Sequence, residues 1–271
     1  MSYIPLSGGD GGSGMPGMPQ PNPSSQGHVS YPSPEHGGIG ATEQSGQDTV
    51  GSHEGVTYRI THRDDNTILT LSLQPNYTCK SRSNSMICMT PTVNMQGQFK
   101  ISFKNLLSTG QLSQATYQGP GDVILSPHVW GDIVPIRMDG TRPWFLGHHA
   151  YLASTEGITW TAKSQGFRKT LFSGDGMFIA NVTGAGMLFV EAIGALVQKQ
   201  LGQGEELIID RGHLVAWDCQ YKMEKLGTSG FMSRLATGEW YVCRFTGPGT
   251  IYLQTRNPGH IIEWISARLG R

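Results

Sequence analysis

Charge is scarce in this chain. Of 271 residues, 20 are Lys or Arg and 20 are Asp or Glu, so charged side chains make up 15% and the formal net charge is zero. An average soluble domain carries about 25%. A balanced chain has no surplus of cations to neutralise phosphates, which argues against general polyanion binding. Long apolar runs are also missing. The longest, Met187 to Val197, has 11 residues and contains Glu191, short of the ~20 that a helix needs to cross a bilayer. No transmembrane segment is therefore expected.

The motifs that carry chemistry are missing as well. There is no Cys-x-x-C, and none of the four cysteines (Cys79, Cys88, Cys219, Cys243) pairs with a histidine at zinc spacing. All four sit in apolar, strand-like text, so buried free thiols are expected. No His-x-His exists, although a β-barrel oxygenase of the cupin kind needs two such ligands on one strand face. His148 and His149 are adjacent, so on a strand they point to opposite faces. No Gly-x-Ser-x-Gly elbow and no phosphate-cradling loop with a following Lys occur. Asp210-Arg-Gly-His213 follows the strand text Leu207-Ile-Ile and reads as a hairpin turn. Glu205-Glu206 reads as a solvated pair. The six tryptophans, at 130, 144, 160, 217, 240 and 264, are expected in core or inter-lobe packing, since most lack the flanking Arg and Lys of a nucleic-acid platform. No residue is assigned as catalytic, cofactor-binding or metal-ligating, and no cofactor is expected.

Glycine is in excess, with 37 residues, about 14% of the chain, twice the usual ~7%. Each interior glycine costs a helix about 1 kcal/mol. The composition therefore points away from a helical bundle and toward an all-β fold with many tight turns. Its distribution is uneven. Residues 1–54 hold 12 Gly and 7 Pro, few large apolar side chains, and no Lys or Arg. Such text cannot bury enough surface to offset its ordering entropy, and a disordered tail is expected there. It has neither the Arg-rich character of a mitochondrial presequence nor the basic-then-apolar order of a secretory signal. The body, 55–271, keeps all 20 basic residues and 15 acidic ones, a net of +5, too mild for a nucleic-acid signature.

The body repeats at about 63 residues. Gly119-Pro-Gly121, Gly184-Ala-Gly186 and Gly247-Pro-Gly249 each precede an apolar strand-like run, at offsets of 65 and 63. Upstream, the segments starting at Met86, Tyr151 and His213 are 65 and 62 apart. A third landmark precedes each glycine turn, at Ser108-Thr-Gly110, Ser173-Gly-Asp-Gly176 and Ala236-Thr-Gly238. Within these units Leu69, Leu71 and Leu73 alternate with Thr70 and Ser72, and Ile251 and Leu253 alternate with Tyr252 and Gln254, the period of strands. Gly166–Phe172 and Gly230–Leu235 read as short helical turns or wide loops. Units of about 68–138, 144–199 and 200–256 make three β lobes. Pro258–Leu269 has apolar residues at helical spacing and reads as an amphipathic helix capped by Asn257.

The third unit, Gly204-Glu-Glu-Leu-Ile-Ile-Asp-Arg-Gly-His-Leu-Val-Ala-Trp217 and Gly238-Glu-Trp-Tyr-Val-Cys-Arg-Phe-Thr-Gly-Pro-Gly-Thr-Ile-Tyr-Leu-Gln-Thr255, resembles the AIM24 family. So do Gly119-Pro-Gly-Asp-Val123, Tyr151-Leu-Ala-Ser-Thr-Glu-Gly157 and Leu171-Phe-Ser-Gly-Asp-Gly176, and the resemblance covers about 68–255. It implies an all-β, three-repeat fold like that of the tryptophan RNA-binding attenuation protein superfamily: β-sandwich lobes, related to a double-stranded β-helix, in pseudo-threefold arrangement. It implies a link to mitochondrial organisation and therefore a mitochondrial address, with the cytoplasm as the alternative given the missing presequence. It brings no catalytic residues. The expected role is a non-enzymatic scaffold or interaction protein with unidentified protein partners. The alternatives are an RNA- or small-ligand-binding module, with nucleic acid disfavoured by charge, and a cupin-like enzyme, disfavoured by its missing ligands. Homo-oligomerisation and peripheral membrane association stay open, because pseudo-threefold lobes either complete one another or leave edges that assemble.

Overall fold

Leu69, Leu71 and Leu73 are buried and the residues between them only half-buried, as one strand face turned into a core requires. The structure, a computed structural model, describes residues 48–97, 114–147, 149–164, 178–226 and 240–270. The first eight strands are β1 (Thr49–His53), β2 (Val56–Thr61), β3 (Ile68–Leu73), β4 (Thr78–Arg82), β5 (Met86–Met89), β6 (Asn94–Gly97), β7 (Gln114–Gln118) and β8 (Gly121–Leu125). The next six are β9 (Gly131–Asp139), β10 (Trp144–Leu146), β11 (Tyr151–Thr155), β12 (Thr159–Ser164), β13 (Phe178–Thr183) and β14 (Ala185–Ile193). The last six are β15 (Leu196–Leu201), β16 (Glu206–Asp210), β17 (Leu214–Trp217), β18 (Gln220–Leu226), β19 (Trp240–Thr246) and β20 (Gly249–Gln254). A 3-10 turn, Arg211–His213, lies between β16 and β17, and the helix α1 (Pro258–Arg268) follows β20.

One antiparallel pairing scheme occurs three times. β3, β9 and β15 pair with β8, β14 and β20. β6, β12 and β18 pair with β7, β13 and β19, and these pair in turn with β4, β10 and β16. β5, β11 and β17 pair with β8, β14 and β20, and each breaks register at the same point: Met86/Cys88, Tyr151/Ala153 and Leu214/Ala216. Two junctions carry a sheet from one set of strands to the next, β4 with β11 and β10 with β17. They create the six-stranded sheets β6-β7-β4-β11-β14-β9 and β12-β13-β10-β17-β20-β15. A five-stranded sheet, β1-β2-β3-β8-β5, and a three-stranded sheet, β16-β19-β18, complete the described strands.

Three cores lie between these sheets. β14 shows why its text reads as one apolar run rather than as alternation. Met187 and Phe189 enter the first core, and Leu188, Val190 and Ala192 enter the second. A strand covered on both faces has no polar face to show. The same holds for β20, where the expected alternation of Ile251 and Leu253 with Tyr252 is present with both faces covered: Ile251 and Leu253 pack on the third core and Tyr252 in the second.

Two expectations at the chain's ends meet the structure differently. Thr49–His53, placed by composition in the tail, forms β1 antiparallel to β2, so the ordered body starts before residue 54. Gly51, which reads as tail, is held there because the Tyr58 side chain occupies the space a Cβ would need. Residues 1–47 lie outside the described residues, as do the third sequence landmark and the segments Gly166–Phe172 and Gly230–Leu235. At the other end, α1 covers Pro258–Arg268, and the Asn257 side chain accepts a hydrogen bond from the Gly259 N–H at 2.9 Å, the expected cap.

The Gly-x-Gly turns explain their own sequence. At Gly119, Gly184 and Gly247 a Cβ would strike a backbone carbonyl oxygen, that of Gln74, Gly157 and Gly202 respectively. Gly121, Gly186 and Gly249 hold φ of +140°, +146° and +158°, where side chains are disfavoured. The peptides Gly119–Pro120 and Gly247–Pro248 are cis. After each second glycine the next N–H donates to a side-chain oxygen: Asp122 to Thr90 Oγ1 at 3.0 Å, Met187 to Thr155 Oγ1 at 3.0 Å, and Thr250 to Asp218 Oδ1 at 2.6 Å. The middle lock is buried, with Thr155 1% exposed. Thr155→Val keeps the shape and orphans the Met187 N–H. It is expected to cost about 1–3 kcal/mol, the penalty for an unsatisfied buried donor, as measured by urea unfolding; a neutral substitution would show that the lock contributes nothing.

Candidate functional site

The apolar run of β14 carries one charge, Glu191, and the fold must accommodate it. Its Oε1 lies 2.8 Å from Arg82 Nη1, and its Oε2 accepts the His128 backbone N–H at 3.1 Å. Glu191 and Arg82 are both buried. Burial raises the Glu191 pKa to about 7, against the lowering influence of Arg82 and the His128 N–H. The carboxylate forms part of a cavity of about 230 Å³ between the segment 127–130, the end of β14, the starts of β17 and α1, and β20. Apolar groups dominate the lining, including Trp130, Ile193, Leu214 and Ile261, with His128 and His149 beside Glu191. Gln254 braces this wall: its side chain accepts from Ile193 N–H at 3.0 Å and donates to the Gly212 carbonyl at 2.9 Å.

A carboxyl tuned near neutrality inside a cavity has the pKa of an acid–base group. Both Glu191 oxygens are engaged by the protein, one by Arg82 and the other by the His128 N–H. Its titration has a definite sign. The folded pKa lies above the ordinary carboxylate value, so the folded state keeps a proton that the unfolded chain releases. The stability this group contributes is complete below the ordinary carboxylate range and is lost as pH rises through about 7. Glu191→Gln cannot ionise. It is expected to gain stability relative to wild type between about pH 5 and pH 8, seen in urea melts across that range; a pH-independent difference would contradict the raised pKa.

The residues weighed in the sequence are placed apart. Asp210 caps the 3-10 turn, its Oδ1 accepting from Gly212 N–H at 2.9 Å. His213 donates from Nδ1 to the Gln254 carbonyl at 2.7 Å. These two therefore form no acid–base pair. Glu205 accepts the Gly202 N–H, and Glu206 lies 3.1 Å from Arg244, which also reaches Glu224. The adjacent pair 148–149 is described only at His149, which lines the cavity. No group of three His, Cys, Asp or Glu side chains that could hold a metal ion is found among the described residues.

Two expectations need correction. Cys79, Cys219 and Cys243 are buried, and burial pushes their pKa values up to about 12, 11 and 12, but Cys88 is exposed. It sits on β5, which ends its sheet among the described residues. Among the tryptophans, Trp217 is fully buried, Trp144 stacks on Tyr252, and Trp160 tilts against Tyr151. Trp130 and Trp264 are exposed instead. Trp130 lines the cavity, and Trp264 on α1 has Arg268 over its ring at 3.9 Å. A lone carboxylate within an apolar strand, such as Glu191 in β14, must find a buried partner, and that is the sequence signal for the cavity.

The described residues define an all-β protein of antiparallel sheets with one short C-terminal helix, and no helix among them is long and apolar enough to cross a membrane. Residues 58–256 match the model of the family described as Mitochondrial biogenesis AIM24, and the chain belongs to that family. An uncharacterised protein of Streptococcus pyogenes serotype M6 is 31% identical over 147 residues, which is 54% of this chain and 58% of that protein. The aligned part of this chain thus spans little more than half of that relative's length. The crystal structure of a Streptococcus pyogenes protein has the same fold, with a TM-score of 0.63 at 21% identity, covering 82% of this chain and 99% of that one.

Proposed function

We propose that the chain is a non-enzymatic interaction scaffold acting in mitochondrial organisation. The outer surface of α1 carries this reading. Ile262, Trp264, Ile265 and Leu269 are all exposed, with Ile262 at 64% and Leu269 at 71%. Ile262, Ile265 and Leu269 follow helical spacing and form one apolar stripe. Exposed Trp130 stands nearby, lining the same cavity as Ile262. Clustered apolar side chains left in water mark an interaction surface. The family's description supplies the mitochondrial setting.

The test is fractionation of the tagged full chain, with protease protection and carbonate extraction of mitochondria. A protected, membrane-associated pool is expected, and Ile262→Ser with Leu269→Ser should release it without loss of folding. A wholly cytosolic wild-type pool would end the mitochondrial reading. A second reading, binding of a small apolar ligand, is favoured by the cavity beside α1. Ile193 lines its wall. Native mass spectrometry should then show a bound small molecule that Ile193→Trp expels; a ligand-free wild type would dismiss it.

A further inference from the structure

Among the described residues, two sheet edges lack a partner that the fold supplies elsewhere. At the first junction Ser81 lies opposite Ala153 and Lys80 opposite Ser154. At the second, Leu146 lies opposite Ala216 and Phe145 opposite Trp217. By the recurring register break, Cys88 and Met89 of β5 stand where Ala153 and Ser154 stand in β11, and Ala216 and Trp217 in β17. By pairing with the neighbouring hairpin strand, Ile208 and Ile209 of β16 stand where Lys80 and Ser81 stand in β4, and Phe145 and Leu146 in β10. A third junction in the same register would set Ile208 against Met89 and Ile209 against Cys88. Among the described residues it does not form: β5 ends the five-stranded sheet and β16 ends the three-stranded one.

The side chains on these edges are those of a covered junction. Ile87, the extra residue at the register break, is 55% exposed, while its counterparts Leu152 and Val215 are 0% exposed. Met86 is 37% exposed, against 3% for Tyr151 and 4% for Leu214. Across the gap Ile208 is 45% exposed. Natural edge strands usually carry charge, proline or a cover that discourages pairing. Met86-Ile-Cys-Met89 has no charge and no proline.

We infer that β16 of one copy of this chain pairs antiparallel with β5 of a second copy, head to tail, with Ile208 opposite Met89. The contact is heterologous: each copy offers one edge of each kind, so successive copies satisfy both. The occupant is a second copy because the chain already contains both halves of the junction and two working versions of it. In the folded chain the two halves remain in separate sheets.

The experiment uses the full chain. Light scattering after size exclusion should give a mass of at least two chains for wild type. Ile87→Lys and Ile208→Lys change exposed side chains, so both should keep the wild-type far-ultraviolet circular dichroism spectrum, and each should run as a monomer alone. Mixed, they should form a complex of two chains, because one intact β16 and one intact β5 remain. In a Cys88→Ser background, Met89→Cys chains mixed with Ile208→Cys chains should form disulfide-linked dimers, and neither should do so alone. A monomeric wild type would overturn the inference. So would a chain carrying both cysteines that cross-links only within itself, since that would show β16 closing on its own β5.

Discussion

Trp217→Ala is expected to destabilise the domain by about 3–5 kcal/mol, the usual cost of truncating a large buried aromatic. Trp217 is 0% exposed and sits among three other rings. It stacks on Phe145 at 6.0 Å and meets Tyr221 and Phe245 edge-on at 5.2 and 5.7 Å. Phe145 also faces it across the β10–β17 junction. The truncation would therefore hollow the third core and weaken the seam between two sets of strands. For a domain of this size, thermal unfolding should fall by roughly 10 °C.

The indole nitrogen provides the control. Among the described residues, Trp217 Nε1 is buried and has no hydrogen-bond partner. It already bears the desolvation cost of an unmade bond. Trp217→Phe removes that donor and keeps most of the ring, so it should retain most of the stability that Trp217→Ala loses. Equal losses for Phe and Ala would show that Nε1 makes a bond after all, and that packing is not the main contribution.

Much of this arrangement is legible in the sequence. Period-two text identifies β3, the Gly-x-Gly turns mark the links β7–β8, β13–β14 and β19–β20, although each link carries the chain from one sheet into another instead of closing a hairpin, and Asn257-Pro258 marks the start of α1. What sequence cannot show is which strands meet across the junctions. Ser81, Leu146 and Ile209 occupy one structural position with three different chemistries, because each is packed by a different core. The cavity was hidden for a related reason. Its wall combines residues 127–130 with Glu191, Gln254 and α1, and the partner of Glu191 is Arg82, more than a hundred positions away. The exposed edges were equally silent, since Met86-Ile-Cys-Met89 reads like any buried strand until its neighbour is found missing.

The second large effect is expected at Gly184, where two separate penalties coincide. Its φ is +104°, so any side chain adds backbone strain, and a Cβ there would run into the carbonyl oxygen of Gly157. That oxygen belongs to the turn between β11 and β12, which is held on one side by the Ile158 N–H bonded to the Thr155 carbonyl at 3.2 Å. On the other side β12 is fixed to β13 in a register that sets Thr159 against Thr183. The oxygen cannot retreat without disturbing the β13–β14 turn and the Thr155 lock together. Gly204→Ala isolates the first penalty: φ is +73° there, and nothing lies within 4 Å of the added carbon. Gly204→Ala should cost about 1 kcal/mol, the strain of a left-handed residue alone. Gly184→Ala should cost about 3 kcal/mol or more, adding a clash with backbone to that strain. Urea unfolding of the two variants reads the difference directly. Similar losses would mean that the Gly157 carbonyl yields easily, and that the glycine at 184 is required only for its dihedral angle.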